Sequence, residues 1–145
     1  MPYPEYLVAP MRRELTELGV RECRTAAEVD DAVKAPGVVM LIVNSVCGCA
    51  AGKARPGIAL ALQHQNRPDH LATVFAGADV DATARAREYI TGFQPSSPSV
   101  ALLRDGKPIY MVERRDIEMR SAQGIADLLT LAFDKYCAPE TAEAR

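Results

Sequence analysis

No apolar run in this sequence approaches the roughly 18 residues that a membrane-spanning helix needs. The opening stretch MPYPEYLVAPMRRE lacks the charge-then-apolar layout of an export signal. The expected location is therefore the cytoplasm, without a membrane partner. An excess of positive charge is missing too. Lys and Arg number 17 against 19 Asp and Glu, and the net charge of −2 argues against nucleic acid as a partner. Histidine is scarce: His64 is read as an exposed helix residue and His70 as a loop residue. A closed zinc site needs about four nitrogen or sulfur ligands, and a second close cysteine pair is absent, so no metal site is expected. Internal repeats and linker-like stretches are also absent. The 145 residues are expected to form a single domain, large enough to bury a core without disulfides or metal.

What the sequence does have is concentrated between Val38 and Pro56, VVMLIVNSVCGCAAGKARP. Val38 to Asn44 is a nearly unbroken apolar, β-branched run, which suits a strand buried on both faces of a sheet. After a short polar turn, Asn44-Ser45, comes Cys47-Gly48-Cys49, and then a segment of helical character. A helix start offers unpaired backbone N–H groups and partial positive charge, which lower a nearby thiol's pKa below its free value of about 8.5.

In chain order, residues 5 to 18 read as an amphipathic helix on Leu7, Met11, Leu15 and Leu18, stopped at Gly19, with Pro10 in its first turn or at a kink. Val20 to Arg24 is a short strand holding Cys23. Thr25 and Glu28 form a capping-box pattern opening a helix that stops at Pro36-Gly37. The helix behind the thiols runs from about Ala50 to His64 and is bent by Pro56, whose ring collides with the carbonyl four residues back. Leu71 to Ala76 is a second buried strand, and Asp81 caps a helix through Ile90. Ser99 to Leu103 and Pro108 to Val112 form a hairpin around Asp105-Gly106. Ser121 caps a final helix on Ile125, Leu128, Leu129, Ala132, Phe133 and Tyr136. Residues 138 to 145 read as a polar tail. The order, one helix and then βαβαβαββα, predicts an α/β fold with a mixed sheet flanked by helices.

Four cysteines in such a chain are expected to be reduced, reactive or buried rather than structural bridges. Only Cys47 and Cys49 are close enough in sequence to guarantee proximity, and Gly48 permits the turn that lets their sulfurs meet. A disulfide in so small a ring is strained, and strained disulfides are the more easily reduced. Two other readings stand beside redox chemistry: inert small apolar residues in a loop, or two soft ligands for metal transfer. Lys53 and Arg55 follow closely, as supports for a thiolate or as solvated helix surface. Cys23 and Cys137 read as structural. Ser96-Ser97-Pro98-Ser99 reads locally as a loop with a trans proline bond.

The assembled pattern resembles the thioredoxin fold with an extra N-terminal helix. The stretches VNSVCGCAAGKARPG, AREYITGFQPSSPSVALLRDGK and RSAQGIADLLTLAFDKYC are similar to the bacilliredoxins, thioredoxin relatives with a Cys-Gly-Cys motif. The resemblance covers nearly the whole chain. It implies a cis bond before Pro98, with Pro98 and Ser97 facing the thiols to position substrate. It also implies removal of a low-molecular-weight thiol, bacillithiol or similar, from mixed disulfides on oxidised proteins. Cys47 matches the attacking thiol and Cys49 its neighbour; the small thiol is a co-substrate and no other cofactor is implied. A general disulfide reductase or isomerase, and a non-enzymatic redox sensor or metal-handling protein, remain as alternatives.

Overall fold

The computed structural model describes residues 2–138. Five strands form one mixed sheet: β1 (Arg21–Glu22), β2 (Val38–Asn44), β3 (His70–Phe75), β4 (Ser99–Arg104) and β5 (Lys107–Val112), in the spatial order β1-β3-β2-β4-β5. The strand β2 is central. It pairs in parallel with β3, Leu41 opposite Ala72, and antiparallel with β4, Leu41 opposite Ala101. All seven of its residues are buried, as its unbroken apolar run requires.

The period of two along β2 sorts its side chains between two cores. Val38, Met40 and Ile42 face one side, where Leu15, Ile58, Ile117, Ile125, Leu129 and Phe133 pack. These come from α1 (Glu5–Thr16), α3 (Arg55–Ala61), α5 (Arg114–Glu118) and α6 (Ala122–Tyr136). Leu41 and Val43 face the other side, covered by α2 (Ala26–Val33) and α4 (Val80–Tyr89) through Val29, Val33, Ala82 and Ala86. The α1 helix is tied down by Arg12, whose guanidinium donates to both Asp79 carboxylate oxygens at 2.7 and 2.8 Å and lies 5.4 Å from the centre of the Phe75 ring.

Local signals account for most element ends. Thr25 and Glu28 form the capping box at α2, and Ser121 accepts from the Gly124 N–H at α6. The β4–β5 hairpin turns on Asp105 (φ 54°) and Gly106 (φ 74°), the two positive angles that a twist-matched two-residue turn demands. Pro108 lies on the edge strand β5 beside a register shift at Leu102/Leu103, where the lost N–H leaves no central ladder broken.

Several expectations need correction. The strand at residues 20–24 is only two residues long, with Cys23 just beyond it. His70 opens β3 instead of lying in a loop. The fourth helix begins at Val80, so Asp81 lies inside its first turn; the preceding Asp79 gives its carboxylate to Arg12 and caps nothing. The helix α5 carries too short a run to show a period, and the sequence reading passes over it. Of the polar tail, residues 139–145 lie outside the described residues.

Candidate active site

The turn between β2 and the following helix is built on a buried polar knot. Asn44 Oδ1 accepts from the Ser45 N–H at 2.8 Å and from Arg55 Nη1 at 2.9 Å, while Arg55 Nη1 also donates to the Ser45 carbonyl at 2.9 Å. Arg55 is only 3% exposed. Its Nε lies 3.1 Å from Glu14 Oε1, a charge contact without hydrogen-bond alignment. Asn44 Nδ2 donates in turn to the Met11 carbonyl at 3.3 Å. A buried network of this kind fixes one backbone course for the turn. Arg55 is thus a brace beneath the turn and not a cation beside the thiols.

Cys47 stands where the helix begins. Its carbonyl accepts from the N–H groups of Ala50 at 2.9 Å and Ala51 at 3.2 Å, and its own N–H donates to Ser45 Oγ at 3.1 Å. Its sulfur accepts from the Cys49 N–H at 3.4 Å, as an N-cap side chain does. The helix then widens into a π turn, Ala50–Ala54, where the Arg55 N–H reaches back to the Ala50 carbonyl. Pro56 explains the widening, since it has no N–H to give and its ring needs room in the preceding turn.

The two sulfurs lie 2.7 Å apart, and both cysteines are free thiols. Cys47 holds its pKa below the ordinary thiol value, first through the hydrogen bond from the Cys49 thiol, then through the Cys49 backbone N–H and the nearby Arg114 charge. Cys49 is shifted the other way, first by burial and then by its neighbour Cys47. It packs against the core that contains Ile58 and Ile125. Of the two thiols, Cys47 is thereby the one that gives up its proton more readily and Cys49 the one that keeps it.

Arg114 is the residue that sequence reasoning misses. It opens α5, and its Nη2 donates to Cys47 Sγ at 3.3 Å while Nη1 donates to the Ser97 carbonyl at 3.2 Å. The only local signal is the pair Glu113 and Asp116, a capping box that starts the short helix. Lys53 does not reach the sulfur. Its Nζ donates to the Glu118 carbonyl at 2.7 Å, at the far end of α5, so it holds the helix that carries Arg114. The Ser97–Pro98 bond is cis, and Ser97, Arg114, Ser45 and Cys47 line one open groove.

Cys23 and Cys137 lie elsewhere. Cys23 is fully buried, donates to the Glu28 carbonyl at 3.6 Å, and has its pKa pushed up to about 11 by burial. Cys137 follows α6, where the Tyr136 carbonyl accepts from Arg104 at the opposite end of the central strands, and its pKa is also pushed up to about 11 by burial. His64 binds Asp134 at 2.8 Å, joining the end of α3 to α6. Among the described residues no three His, Cys, Asp or Glu side chains are grouped to hold a metal.

Solved thioredoxins share this architecture. The chain aligns with a thioredoxin variant from Halobacterium salinarum at TM-score 0.54 and with the thioredoxin of Malassezia sympodialis at 0.57; each match has 18% identity and covers 82% of this chain and 91% of the other. The thioredoxin-like sheet with a dithiol at the end of its central strand, taken together with the relatives that follow, makes the chain a thiol oxidoreductase. A family model described as disulphide isomerase matches residues 3–137. Bacilliredoxins of Koribacter versatilis and Geobacillus kaustophilus are 57% and 51% identical, each match covering 93% of this chain and 94% of theirs. The chain belongs to the bacilliredoxin family.

Proposed function

We propose that the protein removes a low-molecular-weight thiol, bacillithiol or a similar one, from mixed disulfides on oxidised proteins in the cytoplasm, where thiols are kept reduced. The observation that carries this reading is the Cys47 sulfur, held at a helix start between the Cys49 N–H and the Arg114 guanidinium and open to a groove. The Cys47 thiolate attacks the small thiol's sulfur. A bond forms between them, the bond to the protein substrate breaks, and the departing protein thiolate takes a proton from solvent. Cys49 then gives up its proton and attacks the Cys47 sulfur, which frees the small thiol and leaves a Cys47–Cys49 disulfide. Alternatively, a second small thiol attacks the sulfur of the one bound to Cys47, forming a small-thiol disulfide and releasing Cys47 as its thiolate. Thiols alone carry the chemistry, without a bound cofactor. The cis Ser97–Pro98 segment flanks the groove and orients an extended protein substrate.

The test is intact-mass and peptide-mass analysis of the protein isolated from oxidatively stressed cells. A small-thiol adduct on Cys47, its mass naming the thiol, is the expected outcome. Only Cys47–Cys49 disulfide, with no adduct even in a Cys49→Ser variant, would favour a general disulfide reductase or isomerase. Stoichiometric oxidation without turnover would favour a redox sensor.

A further inference from the structure

Arg114 commits one guanidinium to three separate segments. Its Nη2 donates to Cys47 Sγ at 3.3 Å, its Nη1 to the Ser97 carbonyl at 3.2 Å and its Nε to Glu118 Oε1 at 3.3 Å. The fork is planar and rigid, so fixing Nε and Nη1 also fixes where Nη2 points. Glu118 is gripped in its turn, because its carbonyl accepts from Lys53 Nζ at 2.7 Å. Lys53 belongs to the π turn that follows the two thiols. A ring of contacts thus closes from Cys47 through Arg114, Glu118 and Lys53 back to the helix behind Cys47.

The charges at the two ends of α5 run against the helix dipole. A helix start favours carboxylates and a helix end favours cations, yet Arg114 is the first residue of α5 and Glu118 the last. An arginine four residues before a glutamate is also the weaker order for an ion pair within a helix. Glu113 and Asp116 give the start its acids, and Lys53 brings the end a cation from outside. The dipole therefore gives Glu118 no reason to be acidic, whereas the hold on Arg114 does. Nearby charges are committed elsewhere: Arg115 pairs with Glu113, and Arg120 donates to the Asp116 carbonyl. Among the described residues, Glu118 is the one carboxylate that Arg114 meets.

We propose that Glu118 is a positioning residue that holds Arg114 against Cys47 Sγ, and so decides which of two thiols 2.7 Å apart attacks first. The proposal rests on the reading of Cys47 as the attacking thiol and adds the residue that makes it so. Two effects of the Glu118 charge differ in sign. Acting directly, a carboxylate discourages a nearby thiolate, and its removal would make Cys47 more acidic. Acting through Arg114, its removal lets the guanidinium drift and makes Cys47 less acidic. Cys49, raised first by burial, then by Cys47 and further by Glu118, feels the direct effect. Loss of Glu118 should therefore bring the two thiols closer together in acidity. Arg87, which lines the groove, and Arg55, beneath the turn, stay the same in every variant compared.

The test is alkylation by iodoacetamide across a pH series, with tandem mass analysis assigning the label to Cys47 or Cys49. The thiolate forms a bond to carbon, the carbon–iodine bond breaks and iodide leaves. Glu118→Ala is expected to move the Cys47 midpoint upward and slow its labelling below that midpoint about two- to threefold, the scale of one exposed ion pair. The share of label on Cys49 should rise. Glu118→Gln keeps an oxygen for the Arg114 Nε and should retain most of the wild-type rate. The Lys53 contact uses the main chain of residue 118, so it survives both substitutions. With Arg114→Gln already present, Glu118→Ala should bring no further upward shift.

An unchanged or lowered Cys47 midpoint in Glu118→Ala overturns the proposal. So does a uniform slowing at every pH, a Glu118→Gln variant as slow as Glu118→Ala, or an equal upward shift in the Arg114→Gln background. Alkylation needs no mixed disulfide, so a protein that releases no small thiol would sink the mixed-disulfide reading while the labels still decide the role of Glu118. A wild type labelled first on Cys49 overturns both.

Discussion

Cys23 and Cys47 each follow a parallel strand of the same sheet, yet their surroundings drive the two thiols in opposite directions. Beyond the edge strand β1, Cys23 is roofed by the start of α2, its sulfur donates to the Glu28 carbonyl, and burial raises its pKa. Cys47 lies beyond the central strand β2, which has neighbours on both sides, so loops from three directions converge on it: the turn itself, Ala76-Gly77 and the cis Ser97–Pro98 segment with Arg114. A thiol's reactivity here follows from strand position. The centre of the sheet gathers donors and leaves a groove, whereas the edge supplies a lid.

Removing one thiol at a time gives the largest expected effect. Cys47→Ser should abolish release of a small thiol from a model mixed disulfide. Cys49→Ser should complete the first transfer and accumulate as an adduct on Cys47, with later turnovers slow unless free thiol is supplied. Single-turnover release with intact-mass analysis reads both. A reactive Cys47 variant beside a dead Cys49 variant would invert the roles.

Removing the cation is expected to matter less. Arg114→Gln should shift the pH midpoint of Cys47 alkylation upward and slow exchange below that midpoint by about three- to tenfold, while leaving rates above it nearly unchanged. A uniform loss at all pH values would instead assign Arg114 a positioning role.

The other side of the contrast should be visible only in stability. Cys23→Ala should leave exchange intact and lower the unfolding free energy by about 1 kcal/mol, read from urea denaturation. Cys137→Ala should likewise leave exchange intact. Equal losses of exchange from Cys23→Ala and Cys47→Ala would erase the distinction.

The smallest effect is alkaline. In the folded chain the Cys23 pKa of about 11 lies above the roughly 8.5 of an unfolded thiol, so the native state binds that proton more tightly. Its contribution is fully present below the unfolded value and is lost as pH rises through the folded one. Urea midpoints measured between those values should therefore fall less steeply with pH in Cys23→Ala than in wild type.

Much of the architecture was legible from short-range rules. The run Val38–Asn44, the Thr25–Glu28 box, the Asp105-Gly106 turn and the periodic face of α6 each state their conformation within a few residues. The paired thiols were equally plain. What escaped depended on partners distant in the sequence. Arg55 looks like helix surface until Asn44 and Glu14 enclose it. Arg114 lies in a five-residue helix with a single buried apolar residue, Ile117, too short to show a period. At Pro98 the local tetrapeptide favoured a trans bond, and only the resemblance across the whole chain pointed to cis.

The hydrogen bond from Arg114 to Cys47 spans 67 positions of the chain. During synthesis the thiol therefore leaves the ribosome well before its cation, and chains generally fold as they emerge, N-terminal part first. Until α5 has been made and docked, the sulfur has only its local Cys49 donors, and the Arg114 contribution is added last.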